Sequence, residues 1–216
     1  MERIILVGGG GFCRELIVAV TSCHEAGTVP PVGGYLDDRG EVLGDHDSRV
    51  PWLGSTLEYQ PRPGDAFVLA IGSPAGKRAA HGRLHDRGGQ FPRLIHPSVN
   101  IAPSAKIAEG VIILFNGGAG PNCRIERMVT INTGSGLGHD AVVGEFSTLS
   151  SKVDITGGVQ VGADCTIGSN AALIPRIRIG DGATIGVGCV IYRSVPAGAT
   201  MFAPSARMLK ARSRVA

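Results

Sequence analysis

Aromatic residues make up only 5% of this 216-residue chain. Large rings therefore cannot build its core, which must be mostly aliphatic. Cysteine is scarce and odd in number. Cys13, Cys23, Cys123, Cys165 and Cys189 form no CxxC pair, so a disulfide framework is not expected, and reduced thiols in a cytoplasmic protein are. Long hydrophobic runs are missing too. The first, Ile4 to Val7, is shorter than a signal-peptide core and ends in glycines. No stretch approaches the length of a membrane span. Charge of one sign is weak: the net is +3, and the final "ARMLKARSRVA" supplies much of it. A solvated C-terminus accounts for that better than a nucleic-acid surface.

Glycine is what the chain has in excess. Its 33 glycines are about twice the usual ~7% share. They follow no collagen triplet, so they must serve turns or close approaches.

Residues 1–95 alternate strand and helix signals. "RIILV" reads as a buried strand leading into a Gly-rich turn, and "FCRELIVAVTSCHEAG" as a helix. "VGGYLDD" and "DAFVLAIGS" read as strands, and "PAGKRAAHGRLHDRG" as a second helix. The expectation is a half-Rossmann α/β domain with a parallel sheet. Gly8, Gly10 and Gly11 lie between strand and helix, where backbone N–H groups suit a phosphate. Cys13 takes the third slot of G-x-G-x-x-G, so a bare strand-to-helix turn is the competing reading.

From residue 96 to 216 the grammar changes. An aliphatic residue recurs every six positions from Ile101 through Ile107, Ile113, Ile125, Leu137, Leu149, Ile167 and Ile185 to Ile191. Ala119 alone departs from Ile, Leu or Val. Two residues earlier the side chain is mostly small, as at Cys123, Ala141, Ser147 and Cys165. One residue later it is often Gly, as at Gly120, Gly138, Gly144 and Gly162. A chain that turns every six residues winds a triangular coil in about eighteen, with one aliphatic per side pointing inward. Sixteen positions imply roughly five coils. The cysteines at the small inward positions then fill the core, and Gly, Asn and Asp relax the corners.

This pattern resembles the hexapeptide-repeat acyltransferases, whose repeat folds as a left-handed parallel β-helix. "ILVGGGGFCREL", "GYLDD", "AIGS", "LIHPSV" and "VPAGATMFAPSARML" fall in the order seen in the NeuD/PglD-like sugar O- and N-acetyltransferases. The resemblance implies acetyl-CoA as co-substrate, a nucleotide-sugar acceptor, no metal, and a homotrimer with active sites between subunits. It implies a general base at His139 in "GLGHDAVVGEF", with Asp140 orienting the imidazole. Neighbours along a strand point apart, so the pair cooperates only where the chain turns, for which Gly136 and Gly138 suggest themselves. An exposed corner histidine with no role is the plain alternative. Nucleotide-sugar contacts carry over to Gly8, Gly10, Gly11, Phe12, Asp37, Asp38, Ile71, Gly72 and Ser73. Phe12 and Thr148 stand where relatives have polar or histidine side chains. Acetyl-CoA contacts carry over to Thr148, Gly157, Gly158, Ile167, Ala172 and Ile185.

Two other readings share the solenoid. A zinc carbonic anhydrase needs three histidine ligands, which one repeat-region histidine does not supply. A non-catalytic nucleotide-sugar sensor or scaffold needs no base. His96 reads as structural, and His24, His46, His81 and His85 show no ligand spacing.

Overall fold

The computed structural model describes residues 1–44 and 49–205. His46 and the basic C-terminal stretch from 206 lie outside the described residues.

β1 (Arg3–Val7), β2 (Val32–Leu36) and β3 (Asp65–Leu69) form a parallel sheet in the order β2-β1-β3. Helix α1 (Gly11–Glu25) and helix α2 (Pro74–His85) cover its opposite sides. The pleat decides which residues go where. Ile4 and Leu6 of β1 join Leu16 and Val20 of α1, while Ile5 and Val7 join Ala80 and Leu84 of α2. Ser73 caps α2, accepting the Gly76 N–H at 3.3 Å, and Pro74 starts the first turn.

The rest is a parallel β-solenoid of two-residue strands. Three sheets of seven, six and five strands make its faces, and the chain winds about six turns. The first face runs from Leu94–Ile95 to Thr200–Met201, the second from Asn100–Ile101 to Val190–Ile191, and the third from Lys106–Ile107 to Arg178–Ile179. Each aliphatic of the six-residue register is the inward residue of one strand, and nearly all are buried in one continuous core. Burying each such side chain contributes on the order of 1.5–3 kcal/mol. The turn count exceeds the five expected because pairing begins at Leu94–Ile95 and continues to Thr200–Met201, outside the strict repeat. Past Ile191 the spacing shortens: Val195 pairs with Ile179, and Met201 with Ile185.

The corners differ from the expectation in an instructive way. The glycines one past the inward residue do not serve a positive φ. At Gly138 a Cβ would come within 2.7 Å of the Gly157 amide nitrogen of the next coil, so glycine is there for close stacking. The left-handed residue comes two later. It is Asn, Asp or Gly at many corners, but Met128, Phe146, Lys152 and Arg176 also adopt it. Such a conformation costs roughly 1–2 kcal/mol in a residue with a bulky side chain. At Phe146 packing compensates: the ring is buried, with Arg78 4.1 Å above it and His81 against its edge.

All five cysteines are buried and unpaired. Burial raises the thiol pKa values of Cys13, Cys23, Cys123 and Cys165, that of Cys13 to about 12, as suits core filling rather than nucleophilic chemistry.

The α/β part lies over the first face. The outward residues Leu94, Ile112, Thr130 and Thr148 are buried there. Lys77 of α2 is wholly buried, and its ammonium donates to Met128 O, Ser147 O and Thr130 Oγ1 at 3.0, 3.0 and 3.3 Å. Arg78 pairs with Glu145 and Asp164, at the edge joining the first and third faces.

Candidate functional site

His139 and Asp140 occupy the corner between the second and third faces. His139 Nδ1 lies 2.8 Å from Asp140 Oδ2. Sequence neighbours can meet because Asp140 itself is left-handed, at φ 59°. The turn thus comes from Asp140, not from Gly136 or Gly138 as expected. Aspartate and asparagine tolerate this region better than most residues. Both side chains are exposed.

The stacked coils hold the pair from both sides. In the preceding coil Asn122, also left-handed at φ 60°, donates its Nδ2–H to Asp140 Oδ1 at 3.1 Å. Hydrogen bonds from His139 first, then Asn122, hold the Asp140 carboxyl below its usual pKa. In the following coil the Gly158 amide donates to His139 O at 2.8 Å. The imidazole lies over Gly157, where a Cβ would collide with Nε2 and sit 2.7 Å from Cε1. An ionised carboxylate only accepts hydrogen bonds. In a neutral ring this contact favours the proton on Nδ1 and leaves the lone pair on Nε2. Such an imidazole can take a proton from a nucleophile beside it. A cleft of about 410 Å³ opens along the second face beside this corner, floored by Gly118 and Gly136 and reaching Gly138.

The other expected acyl-donor residues are dispersed. Gly157 and Gly158 adjoin His139. Ile167 and Ile185 point their side chains into the core, and their carbonyls accept from the Ser150 and Gly168 amides. Ala172 faces outward on the second face, half-buried. Thr148 does not join His139. It lies under the α/β part and donates to Gly72 O at 2.8 Å, because the outward positions of the first face are covered.

A second cleft, also about 410 Å³, lies in the α/β part and gathers Gly8, Gly10, Asp37, Asp38 and Ile71 of the expected set. Gly8 is left-handed at φ 105°. Asp37 receives the Gly9 amide at 2.7 Å and both the backbone and side chain of Arg39. Burial alone would raise its pKa, but the hydrogen bonds from Arg39 and Gly9 bring it to about 2. Asp38 accepts from Ser55 and Thr56 and pairs with Arg83 at 2.8 Å. Gly11 begins α1, and Ser73 caps α2. Phe12, expected near the ligand, does not line this cleft; its half-buried ring packs against the α1 side of the sheet. Arg39, Thr56 and Arg83 also line this cleft, and the sequence reading missed them. Nothing in the local sequence marks Arg83, which faces the cleft only because α2 crosses it. Asn122 carried a usable signal: it lies one eighteen-residue coil before Asp140. Among the described residues no group of three or more His, Cys, Asp or Glu side chains is placed to hold a metal. No helix among them is long and apolar enough to cross a membrane. His96 meets Ser98 at 2.8 Å and packs on Phe115.

Residues 158–193 match the family described as bacterial transferase hexapeptide (six repeats). Solved structures resemble the whole chain. The acetyltransferase domain of PglB from Neisseria gonorrhoeae, in complex with acetyl coenzyme A, is 26% identical with a TM-score of 0.82, over 96% of this chain and 99% of that one. PerB from Caulobacter crescentus, in complex with CoA and GDP-perosamine, is 27% identical with a TM-score of 0.81, over 94% and 95%. WeeI from Acinetobacter baumannii is 25% identical with a TM-score of 0.84, over 97% and 100%. By its six-residue register, its solenoid and these likenesses, the chain carries hexapeptide repeats on a fold like that of left-handed β-helix sugar acetyltransferases, and it is an acyltransferase.

Proposed function

We propose that the protein transfers an acetyl group from acetyl-CoA to an amino group, or a hydroxyl, of a nucleotide-linked sugar. The observation carrying this reading is the exposed His139–Asp140 pair, held at 2.8 Å on a corner next to a cleft that reaches Gly138. His139 Nε2 takes a proton as the acceptor nitrogen or oxygen attacks the thioester carbonyl. The tetrahedral intermediate collapses and expels the CoA thiolate, which the imidazolium then protonates. Products are the acetylated sugar and free CoA. Asp140 stabilises the transient imidazolium.

Residues 1–95 act as the nucleotide-sugar-binding domain and 96–216 as the acyltransferase domain. Arg39 and Arg83 at the α/β cleft suit a diphosphate, since guanidinium forks match phosphate oxygens. Likeness to PerB, whose complex holds GDP-perosamine, supports this choice of acceptor. The functional unit is a homotrimer in which neighbouring chains complete each site.

Incubation with acetyl-CoA and a panel of nucleotide-linked amino sugars, read by release of free thiol, tests the proposal. Turnover should appear with one acceptor class, and His139→Ala should lower kcat about 10²- to 10⁴-fold. Equal rates in both proteins would sink the mechanism. Tight nucleotide-sugar binding without turnover would leave the sensor reading in its place.

A further inference from the structure

The geometry points to Asn122 as a positioning residue that fixes the tautomer of His139 by locking the carboxylate of Asp140. This rests on the reading of His139 as the base. Three residues one coil apart form a column on the corner between the second and third faces. Ser104 Oγ accepts the Asn122 N–H at 3.0 Å. Asn122 Nδ2 donates to Asp140 Oδ1 at 3.1 Å, and Asp140 Oδ2 meets His139 Nδ1 at 2.8 Å. The Asp140 N–H donates to Pro121 O at 2.9 Å, so the backbone beneath the carboxylate is held as well.

Each link has a reason. The corner needs a left-handed residue, and at Asn122 and Asp140 it is filled by side chains that also hydrogen-bond along the column. The amide must turn its nitrogen toward Asp140, because the carboxylate offers only acceptors. With Oδ1 held by Asn122, Oδ2 is left to His139, and the carboxylate plane cannot rotate freely. This matters because the pair is exposed. A lone contact between exposed side chains competes with water and with many rotamers. The amide adds a fixed donor from a rigid coil, so that the ring keeps its proton on Nδ1 and its lone pair on Nε2. Gly157, lacking a Cβ, leaves room for the imidazole above it.

The test uses Asn122→Gly in the full-length protein, because glycine keeps the φ of 60° and removes only the donor. Nitrogen-15 NMR of His139 reads the tautomer directly, without substrate. In the wild type the ring should be mainly Nδ1-protonated, and in Asn122→Gly the bias should fall toward a mixture. With an active acceptor, kcat should drop about tenfold at unchanged KM for acetyl-CoA. A ring that keeps its Nδ1 proton in Asn122→Gly overturns the inference whatever the rate does. So does a wild-type ring protonated on Nε2. If no acceptor is turned over at all, the function fails separately, and the NMR measurement still decides the role of Asn122.

Discussion

An alanine at position 157 would drive its Cβ into the His139 imidazole. The neighbouring backbone is pinned, since Gly158 N–H bonds His139 O, so the ring rather than the coil must give way. Gly157→Ala should therefore lower kcat about 10- to 100-fold, a misplacement cost, with little change in melting temperature or in binding at the distant α/β cleft. Steady-state kinetics beside a thermal melt would check this. A fall in stability matching the fall in rate would mean that the coil itself had been damaged. Legibility at this scale divides by chain distance. His139 and Asp140 are adjacent, so their chemistry stands in the sequence. Gly157 and Asn122 reach them only through stacking, which becomes visible once the eighteen-residue coil is counted backward and forward. Phe12 lies outside the lining of the α/β cleft for a different reason. A glycine-rich turn says where backbone N–H groups point, but not which side of the sheet the next ring will choose.

Helix α2 does two jobs with two faces. Gly76, Ala79 and Arg83 line the α/β cleft, while Lys77, Arg78 and His81 turn to the solenoid. The helix itself is plain in the sequence; the burial of Lys77 is not, because only the assembled edge supplies its carbonyl acceptors. Burial pushes the Lys77 ammonium down to about 7, with the nearby Asp164 opposing. Glu145, Arg78, Arg127, His81 and His85 are further charged and titratable groups around this contact. A free lysine titrates near 10.4. From about pH 7 to 10.4 the unfolded chain thus binds more protons than the folded one, and the contribution of Lys77 to stability rises with pH, by at most ~1.4 kcal/mol per pH unit. The buried thiols work the other way above about pH 8.5, since they stay protonated in the fold after the unfolded ones ionise. The clean quantity is therefore the difference between the wild type and Lys77→Met. Urea midpoints across pH 6.5–9.5 should show the wild type gaining on the variant as pH rises. A constant difference would mean that the three acceptors keep the ammonium at its ordinary pKa.

At the scale of the molecule, the two clefts do not meet. The α/β part covers the first face and grips the edge carrying Glu145 and Asp164, whereas His139 stands on the corner between the other two faces. Every residue lining the α/β cleft comes from residues 7–83, and those lining the cleft beside His139 come from 100–154. The six-residue register made the solenoid readable from sequence, but it says nothing of which face the α/β part would cover, since that depends on packing across the chain. Under the proposed function, a sugar held in the α/β cleft would meet the base of a neighbouring copy, so the proposed trimer is part of the catalytic proposal. Two damaged chains should then repair each other. His139→Ala keeps a sound α/β cleft; Arg83→Ala, whose guanidinium lines that cleft and pairs with Asp38, keeps a sound base. Each alone should be nearly inactive. Co-expressed in equal amounts, they assemble at random, and a site joining a good base to a neighbour's good cleft arises at about a quarter of positions in a cyclic trimer. Activity near that fraction of wild type, absent when the separately assembled variants are merely mixed, is the expected result. No recovery on co-expression, with mixed trimers demonstrated by differential tagging, would place base and sugar within one chain and rule out the shared site.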